Sequence, residues 1–188
     1  MLIHKAGETD LAGAAQVLVD TWRSTFRGIV PDDFLDGLSY PDAEARLRRR
    51  LESATHGDCM YVAEADDGQI VGLATGGKSR FDLAPFSGEV RALYVLPSHQ
   101  RQGLGKSLIH ELVTNLARDG FSSVVICVLR ENTNARRFYE TIGGQPAEER
   151  LINVGGRDLD EITYLWPDIS SLIACTSRPS LALPSEYW

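Results

Sequence analysis

The residues best suited to hold a ligand lie at positions 100–107, where a predicted strand meets a predicted helix. Gly103 and Gly105 carry no Cβ, so the backbone there can turn tightly and approach a ligand closely. The first turn of a helix presents N–H groups without a partner, together with a partial positive charge. Because Arg101 and Lys106 flank the glycines, the junction is typical of a site that cradles a phosphate.

Three interpretations of this junction compete. The first is an ordinary strand-to-helix connection whose glycines only allow close packing. The second is a P-loop, because residues 105–107 repeat the Gly-Lys-Ser end of that motif, although Gln100 stands where its first glycine belongs. The next predicted strand, 122–129, also lacks a terminal aspartate to hold magnesium. The third is a pyrophosphate loop of the pattern Q-x-x-G-x-G, which Gln100, Gly103 and Gly105 match.

A strand and a helix must position this junction. Residues 90–96 are rich in β-branched and aromatic side chains and stop at Pro97, which predicts a strand. Apolar residues then recur every four positions, which predicts a helix with one buried face. Those residues are Leu104, Leu108, Leu112 and Leu116.

The rest of the chain supplies further strands and helices. Asp10 is expected to cap the first helix, and residues 76–87 are expected to form a loop. Long crossovers beside an antiparallel hairpin predict a mixed sheet with helices on both faces. Further strands are predicted at 2–6, 59–65, 69–75, 122–129, 151–154 and 159–166, and further helices at 11–26, 31–35, 41–53 and 132–142.

Composition excludes several classes of protein. A hydrophobic content of 43% over 188 residues indicates a globular chain with a sizeable core, most simply one domain. The net charge of −7 argues against general nucleic-acid binding. The chain lacks an apolar run long enough to span a membrane and an apolar signal-peptide core. The arginines of the 41–53 helix are expected to form its solvated side, because acidic residues alternate with them; they are Arg46, Arg48, Arg49 and Arg50.

Cysteine and histidine usage bears on the redox compartment and on metal binding. Cys59, Cys127 and Cys175 are odd in number and widely spaced, so we expect reduced thiols in a cytoplasmic protein. The His, Cys and Asp residues do not cluster with metal-ligand spacing, so no metal is expected.

Two motifs then occur in order along the chain. Residues 93–97 read L-Y-V-x-P and are followed by Q-x-x-G-x-G at 100–105; residues 132–140 read N-x-x-A-x-x-F-Y-E and are followed by a glycine at 143. Together they resemble the GNAT superfamily of acyl-CoA-dependent N-acetyltransferases. The resemblance covers roughly residues 1–167, which leaves 168–188 as a C-terminal extension.

The resemblance implies an α+β fold, with a mixed, mostly antiparallel sheet of about seven strands whose central strand bulges and separates from its neighbour. It also implies acetyl-CoA as the co-substrate. Backbone N–H groups of the central strand would bind the pantetheine and acetyl carbonyls, and the glycine loop would bind the pyrophosphate. Asn132 would reach the pantetheine arm, although an N-cap role is an equal alternative. The residues expected to bind acetyl-CoA are Leu93, Tyr94, Val95, Gln100, Arg101, Gln102, Gly103, Leu104, Gly105, Lys106, Ser107 and Asn132.

Two catalytic residues follow from the same resemblance. Tyr139 matches the general acid of the family, which protonates the departing CoA thiolate; a phenol with a pKa near 10 can do this. The alternative for Tyr139 is a core aromatic. Glu89 begins the central strand, where a carboxylate often takes the amine proton through water; its alternative is a solvated strand-end glutamate. Because the amine can also lose its proton to solvent, Glu89→Gln is expected to lower activity only modestly.

The acceptor is expected to be a primary amine on a small molecule or a peptide. Trp22, Phe26, Tyr40 and Phe81 are candidates to line its site, and packing in the core is the alternative for each. A non-catalytic acyl-CoA-binding regulatory module is the alternative for the whole protein. The resemblance also makes a homodimer an expectation, and the extension from Ile169 to Trp188 is apolar enough to cover a partner or a groove of its own chain.

Overall fold

The computed structural model describes residues 1–80 and 86–177. Its strands are β1 Leu2–Lys5, β2 Cys59–Glu64, β3 Ile70–Lys78, β4 Gly88–Val95, β5 Val124–Leu129, β6 Gln145–Val154 and β7 Arg157–Trp166. Its helices are α1 Leu11–Thr25, α2 Asp32–Asp36, α3 Tyr40–Glu52, α4 Leu104–Arg118, α5 Thr133–Thr141 and α6 Ile169–Thr176. Short 3₁₀ turns lie at Glu8–Asp10 and Pro97–His99.

The strands form one seven-stranded sheet in the order β1-β2-β3-β4-β5-β7-β6. Every neighbouring pair is antiparallel except β4 and β5, which run parallel because α4 crosses over between them. The α+β fold with a mixed, mostly antiparallel sheet is therefore confirmed.

Helices cover both faces of the sheet. On one face, α4, α5 and α6 pack against side chains of β2–β5 and β7, including Val90, Ile126 and Tyr164. On the other face, α1 and α3 pack against β2 and β3, for example on Met60 and Leu73. These are called the α4–α5 face and the α1–α3 face below.

The sheet is incomplete where β4 leaves β5. The two strands pair only through residues 88–90 and 124–126, so the edge of β4 that faces β5 has no strand partner beyond Val90. A bulge lies at the same point, because Thr75 of β3 pairs with Ala92 while its neighbour Gly76 pairs with Val90. Arg91 is the extra residue, and such a bulge bends the strand that carries it. We call the opening between β4 and β5 the strand gap.

Some element limits differ from the prediction. β3 continues to Lys78 instead of ending in a loop, because residues 76–78 pair with β4. β6 begins at Gln145, since its pairing with β7 extends the hairpin past the apolar part of the strand. Asp10 does not cap α1; its carboxylate accepts a hydrogen bond from the Gly7 N–H at 2.8 Å and closes the preceding 3₁₀ turn.

The start of the C-terminal extension packs into the core. Ile169 and Leu172 of α6 are buried in the cluster that contains the apolar side of α4. His110 of α4 and Thr176 of α6 add a polar contact, 3.2 Å between Nδ1 and Oγ1. Residues 169–176 therefore cover a surface of their own chain.

The cysteines form no disulfide with one another. Cys59 and Cys127 lie in β2 and β5, and burial raises the pKa of each thiol to about 11, so both are protonated at neutral pH. Cys175 is exposed on α6.

None of the helices in residues 1–80 and 86–177 is long and apolar enough to cross a membrane. The same residues contain no group of three His, Cys, Asp or Glu side chains arranged to hold a metal ion.

Candidate active site

The glycine loop forms an open row of backbone donors. Gly103 caps α4 in the left-handed conformation with φ of +84°, which a glycine adopts without strain. The N–H of Ser107 donates to the Gly103 carbonyl at 3.0 Å. Within the described part of the chain, no hydrogen bond takes up the N–H groups of residues 101–106. Together with the helix dipole, these donors suit an anion of the size of a pyrophosphate.

Arg101 adds strain to this loop. Its φ of +63° makes it the only non-glycine among the described residues with a positive φ. Such strain is often concentrated where a loop must hold its donors in a fixed direction.

The side chains of Gln100 and Gln102 stabilise the loop by hydrogen bonds to backbone carbonyls. The Gln100 amide donates from Nε2 to the Val95 carbonyl at 2.9 Å, and Gln102 does the same to the Ser98 carbonyl at 3.3 Å. The two side chains therefore fasten the loop to the end of β4 and to the turn that follows it. This gives the glutamine of the Q-x-x-G-x-G pattern a structural part in shaping the loop.

The unpartnered edge of β4 lies next to the loop. The Leu96 N–H donates to the Val71 carbonyl of β3 at 3.0 Å. Because the direction of N–H groups alternates along an antiparallel strand, those of Leu93 and Val95 point away from β3 and into the strand gap. A Cβ on Gly105 would lie 3.8 Å from the Leu93 side chain, so the start of α4 lies against the part of β4 that borders the gap.

Tyr139 lies on α5, on the α4–α5 face. The residue is 6% exposed and packs against the rings of Phe138, Tyr164 and Trp166, at centroid distances of 5.6, 5.8 and 6.2 Å. Burial raises the pKa of its phenol well above the ordinary value, and the nearby Tyr94 adds to the rise. Its hydroxyl makes no hydrogen bond within the described part of the chain, whereas that of Tyr164 donates to Glu140 at 2.6 Å.

Asn132 caps α5. Its Oδ1 accepts a hydrogen bond from the Ala135 N–H at 3.2 Å. The N-cap alternative is therefore present in the structure, and it leaves the amide NH₂ group of the side chain available for another partner.

Glu89 is buried, with 1% of its side chain exposed, so it is not a solvated strand-end residue. Its Oε2 accepts from the Arg80 N–H at 3.1 Å and from Nε of Arg80 at 3.0 Å, and its Oε1 accepts from Nη2 at 2.6 Å. Nε of Arg91 lies 3.9 Å from Oε2. Since Glu89 pairs with Gly77 in the register that places Thr75 and Tyr94 on the α1–α3 face, its carboxylate faces that side.

The strand gap thus separates two sets of groups. Tyr139 lies on the α4–α5 face, and Glu89 lies on the α1–α3 face. The Tyr94 side chain also lies on the α1–α3 face, where its hydroxyl accepts a hydrogen bond from Nε1 of Trp22 at 2.9 Å. A group held in the gap would be reached from both faces of the sheet.

The candidate acceptor residues have different surroundings. Trp22 is half-buried, and its hydrogen bond to the Tyr94 hydroxyl connects it to the strand that borders the gap. Phe26 is buried against Trp22, with ring centroids 4.9 Å apart, in a small cluster beside the ends of β5 and β7. Tyr40 lies between α3 and α1, 41% exposed, and donates to Asp20 at 2.7 Å. Phe81 lies outside the described residues.

Arg50 is a site residue that the sequence analysis missed. It lies at the end of α3, and its Nη1 donates to the Thr75 hydroxyl at 3.0 Å, on the α1–α3 face beside the bulge. Arg50 is exposed, as expected for the solvated side of α3, but the sequence analysis did not foresee the contact between its guanidinium and Thr75. A signal was available, because Arg50 follows the buried Leu47 by three positions and shares its side of the helix.

Comparison with known proteins gives consistent matches. The family model described as "Acetyltransferase (GNAT) family" matches residues 18–143. An uncharacterized N-acetyltransferase of Bacillus subtilis (strain 168) is 31% identical over 176 residues, which cover 94% of this chain and 98% of that protein.

Two solved structures extend the likeness to the fold. The ribosomal-protein-alanine N-acetyltransferase of Brucella melitensis has a TM-score of 0.68 at 21% identity, over 88% of this chain and 99% of its own. A putative acetyltransferase of Salmonella typhimurium, solved with its cofactor acetyl-CoA, has a TM-score of 0.66 at 23% identity, over 88% and 92%. At these identities the likeness concerns the arrangement of helices and strands.

Proposed function

Because the chain belongs to the GNAT family of acetyltransferases, we propose that it moves the acetyl group of acetyl-CoA directly to a primary amine. The observation that carries the proposal is the presence of two sets of open backbone donors, in residues 101–106 of the loop and along the unpartnered edge of β4. Family membership also removes the P-loop interpretation of residues 105–107.

The loop is proposed to bind the pyrophosphate of CoA. Its free N–H groups and the positive end of α4 favour a negative charge there, by roughly 0.3–1 kcal/mol per contact at an exposed helix end. Arg101 and Lys106 are close in sequence and add positive charge. Gly105 lies close to the Phe138 ring, since a Cβ there would be in van der Waals contact with it at 3.6 Å.

The edge of β4 is proposed to hold the rest of the co-substrate. Amide and thioester carbonyls are acceptors, and the N–H groups of Leu93 and Val95 are donors without a strand partner. Donors that are fixed before the reaction stabilise the negative charge that develops on the thioester oxygen, and a mutated donor of this kind typically costs about 100-fold or more in rate.

Tyr139 is proposed to act as the general acid. When the amine nitrogen bonds to the acetyl carbon and the C–S bond breaks, the sulfur leaves with the electron pair and needs a proton. Burial raises the pKa of the Tyr139 phenol, so the phenol is protonated throughout the neutral range, and its hydroxyl has no competing partner among the described residues. The phenolate then regains its proton from solvent.

Glu89 is proposed to receive the proton of the amine, directly or through a water molecule. Its carboxylate lies on the α1–α3 face, opposite Tyr139, so the acceptor and the leaving thiol would occupy different sides of the gap. Arg80 holds the carboxylate from two directions, which fixes its position.

The first test is thermal melting with acetyl-CoA, with CoA and with ATP. A ligand at about 100 times its dissociation constant adds roughly 2.7 kcal/mol to the free energy of unfolding, so acetyl-CoA and CoA should raise the melting temperature and ATP should not. A panel of amines is then assayed by release of free CoA thiol. A rise with ATP alone, or binding of acetyl-CoA without transfer to any amine, would contradict the proposal.

A further inference from the structure

Arg50 begins on the exposed side of α3, and its guanidinium reaches the sheet beside the bulge without a carboxylate partner among the described residues. Its guanidinium donates to the Thr75 hydroxyl at 3.0 Å, and within residues 1–80 and 86–177 no carboxylate lies within ion-pair distance of it. Burial lowers the pKa of the Arg50 guanidinium, and the charges of Arg91 and Arg80 lower it further. Positive charges that lie close together favour an anion that joins them.

The nearby carboxylates are already engaged. Arg91 donates to Asp58 at 2.6 Å and to the Lys78 carbonyl at 2.8 Å. Although burial acts to raise it, hydrogen bonds from Thr55 and Arg91 hold the pKa of Asp58 below its ordinary value, as expected for a committed carboxylate. The Glu89 carboxylate accepts hydrogen bonds from Arg80. Nε of Arg91 is itself buried without a hydrogen-bond partner, so a second donor beside Arg50 is also unused.

The position of Arg50 connects it to the acceptor side of the gap. Thr75 is 1% exposed and lies where the bulge begins, on the face that also carries Glu89 and the Tyr94 side chain. Burial raises the pKa of the Tyr94 phenol, while the Trp22 hydrogen bond and the Arg50 charge oppose that rise. The pyrophosphate loop opens at the start of α4, on the other face.

We propose that Arg50 binds a carboxylate on the acceptor, so that the amine acetylated by this enzyme belongs to a molecule that also carries an acidic group. The planar guanidinium group can donate two parallel hydrogen bonds to the two oxygens of a carboxylate. The proposal rests on the proposed function, since it names the class of acceptor for the same site. Arg50 is a specificity-determining residue in this scheme. The proposed roles of Glu89 as proton acceptor and of Tyr139 as general acid are unchanged.

The test compares acids with their neutral counterparts. The wild-type enzyme is assayed for kcat/KM, by CoA release, with a panel of L-amino acids, with ω-amino acids of increasing length, and with the carboxamide of each. Hydrogen bonds to a charged group contribute about 1.5–3 kcal/mol, or about 10- to 100-fold, so the best acids should exceed their carboxamides by that factor. The length series reports the distance between amine and carboxylate that the site accepts.

Variants assign the preference to Arg50. Arg50→Gln should lower kcat/KM for the acid by about 10- to 100-fold, mainly through KM, and leave the carboxamide unchanged; Arg50→Lys should keep part of the preference. Arg49→Gln, an exposed neighbour on the same helix, is the matched control and should behave as wild type. The acetylated acid, titrated calorimetrically as a product ligand, should lose affinity in Arg50→Gln by a similar factor.

Two results would overturn the proposal. Carboxamides used as well as acids by the wild type would show that no carboxylate is recognised, while the acetyltransferase activity itself stands. Equal loss for acids and carboxamides in Arg50→Gln, with a lowered melting temperature, would show that Arg50 only fastens α3 to β3. If acetyl-CoA binds but no amine of any kind is acetylated, the proposed function fails, and this proposal fails with it.

Discussion

Tyr139 and Tyr164 are neighbouring phenols with opposite hydrogen-bonding states. Their rings lie 5.8 Å apart in one aromatic cluster. The Tyr164 hydroxyl donates to Glu140, whereas that of Tyr139 has no partner among the described residues. The ring of Tyr139 is therefore held by packing, while its hydroxyl is left without a protein partner, within residues 1–80 and 86–177, that would compete with a substrate.

Tyr139→Phe removes this hydroxyl and keeps the ring. Because general acid catalysis contributes about 10²- to 10⁴-fold, kcat should fall by at least 100-fold, while the melting temperature stays nearly the same because the packing of the ring is kept. Tyr164→Phe is the control and should change kcat by less than a few fold. Steady-state kinetics and thermal melting check both variants, and a Tyr139→Phe enzyme with near-normal kcat would assign the acid role elsewhere.

At the scale of elements, the strand gap makes a prediction about backbone dynamics. The N–H groups of Leu93 and Val95 face the gap, whereas those of Ala92 and Tyr94 face β3. In the free enzyme, the first pair should exchange with deuterium faster than the second, because only the second is bonded within the sheet. Acetyl-CoA should slow the first pair and leave the second nearly unchanged. Amide-resolved exchange by NMR measures this, and equal protection in the free enzyme would contradict the arrangement.

The order of the elements could be predicted from the sequence, but some limits could not. Residues 76–78 carry two glycines, which locally favour a loop, yet they extend β3 because β4 pairs with them. The start of β6 at Gln145 was not predicted for a similar reason. The residues before Leu151 lack a strand pattern, and they form a strand because they pair with β7. Tertiary pairing overrides local preference at both places.

The candidate site was predictable where it consists of backbone and glycine, and less so where it depends on side-chain partners. The loop and Tyr139 follow from two motifs. The burial of Glu89 and the position of Arg50 depend on which helix and strand lie opposite each other, which the spacing of residues along one element does not show. The roles of Glu89, Tyr139 and the acceptor residues stay predictions.

At the scale of the whole molecule, α6 is expected to contribute to stability. Leu172 is completely buried between α6 and the rest of the core, whereas Leu151 on β6 is 69% exposed. Leu172→Ala should lower the free energy of unfolding by about 2–5 kcal/mol, and Leu151→Ala should change it by less than about 0.5 kcal/mol. Denaturant titration measures both, and similar values for the two would mean that α6 does not belong to the cooperative unit.

The homodimer and the cytoplasmic location expected from the sequence also stay predictions. Because Ile169 and Leu172 pack within their own chain, truncation at Pro167 would disturb the core and confuse a test of assembly. Sedimentation of the intact chain measures the mass directly, and a monomeric mass at micromolar concentration would contradict the prediction of a homodimer.

The two halves of the site differ in how they respond to evolutionary change. The proposed cradle consists of main-chain amides, which every residue except proline supplies, so substitutions away from Gly103 leave its donors in place. The proposed acceptor side depends on the side chains of Arg50, Glu89 and Trp22, and a single codon change alters it. A lineage built on this fold can therefore exchange one acceptor for another in a few steps, while its acetyl donor is inherited with the backbone.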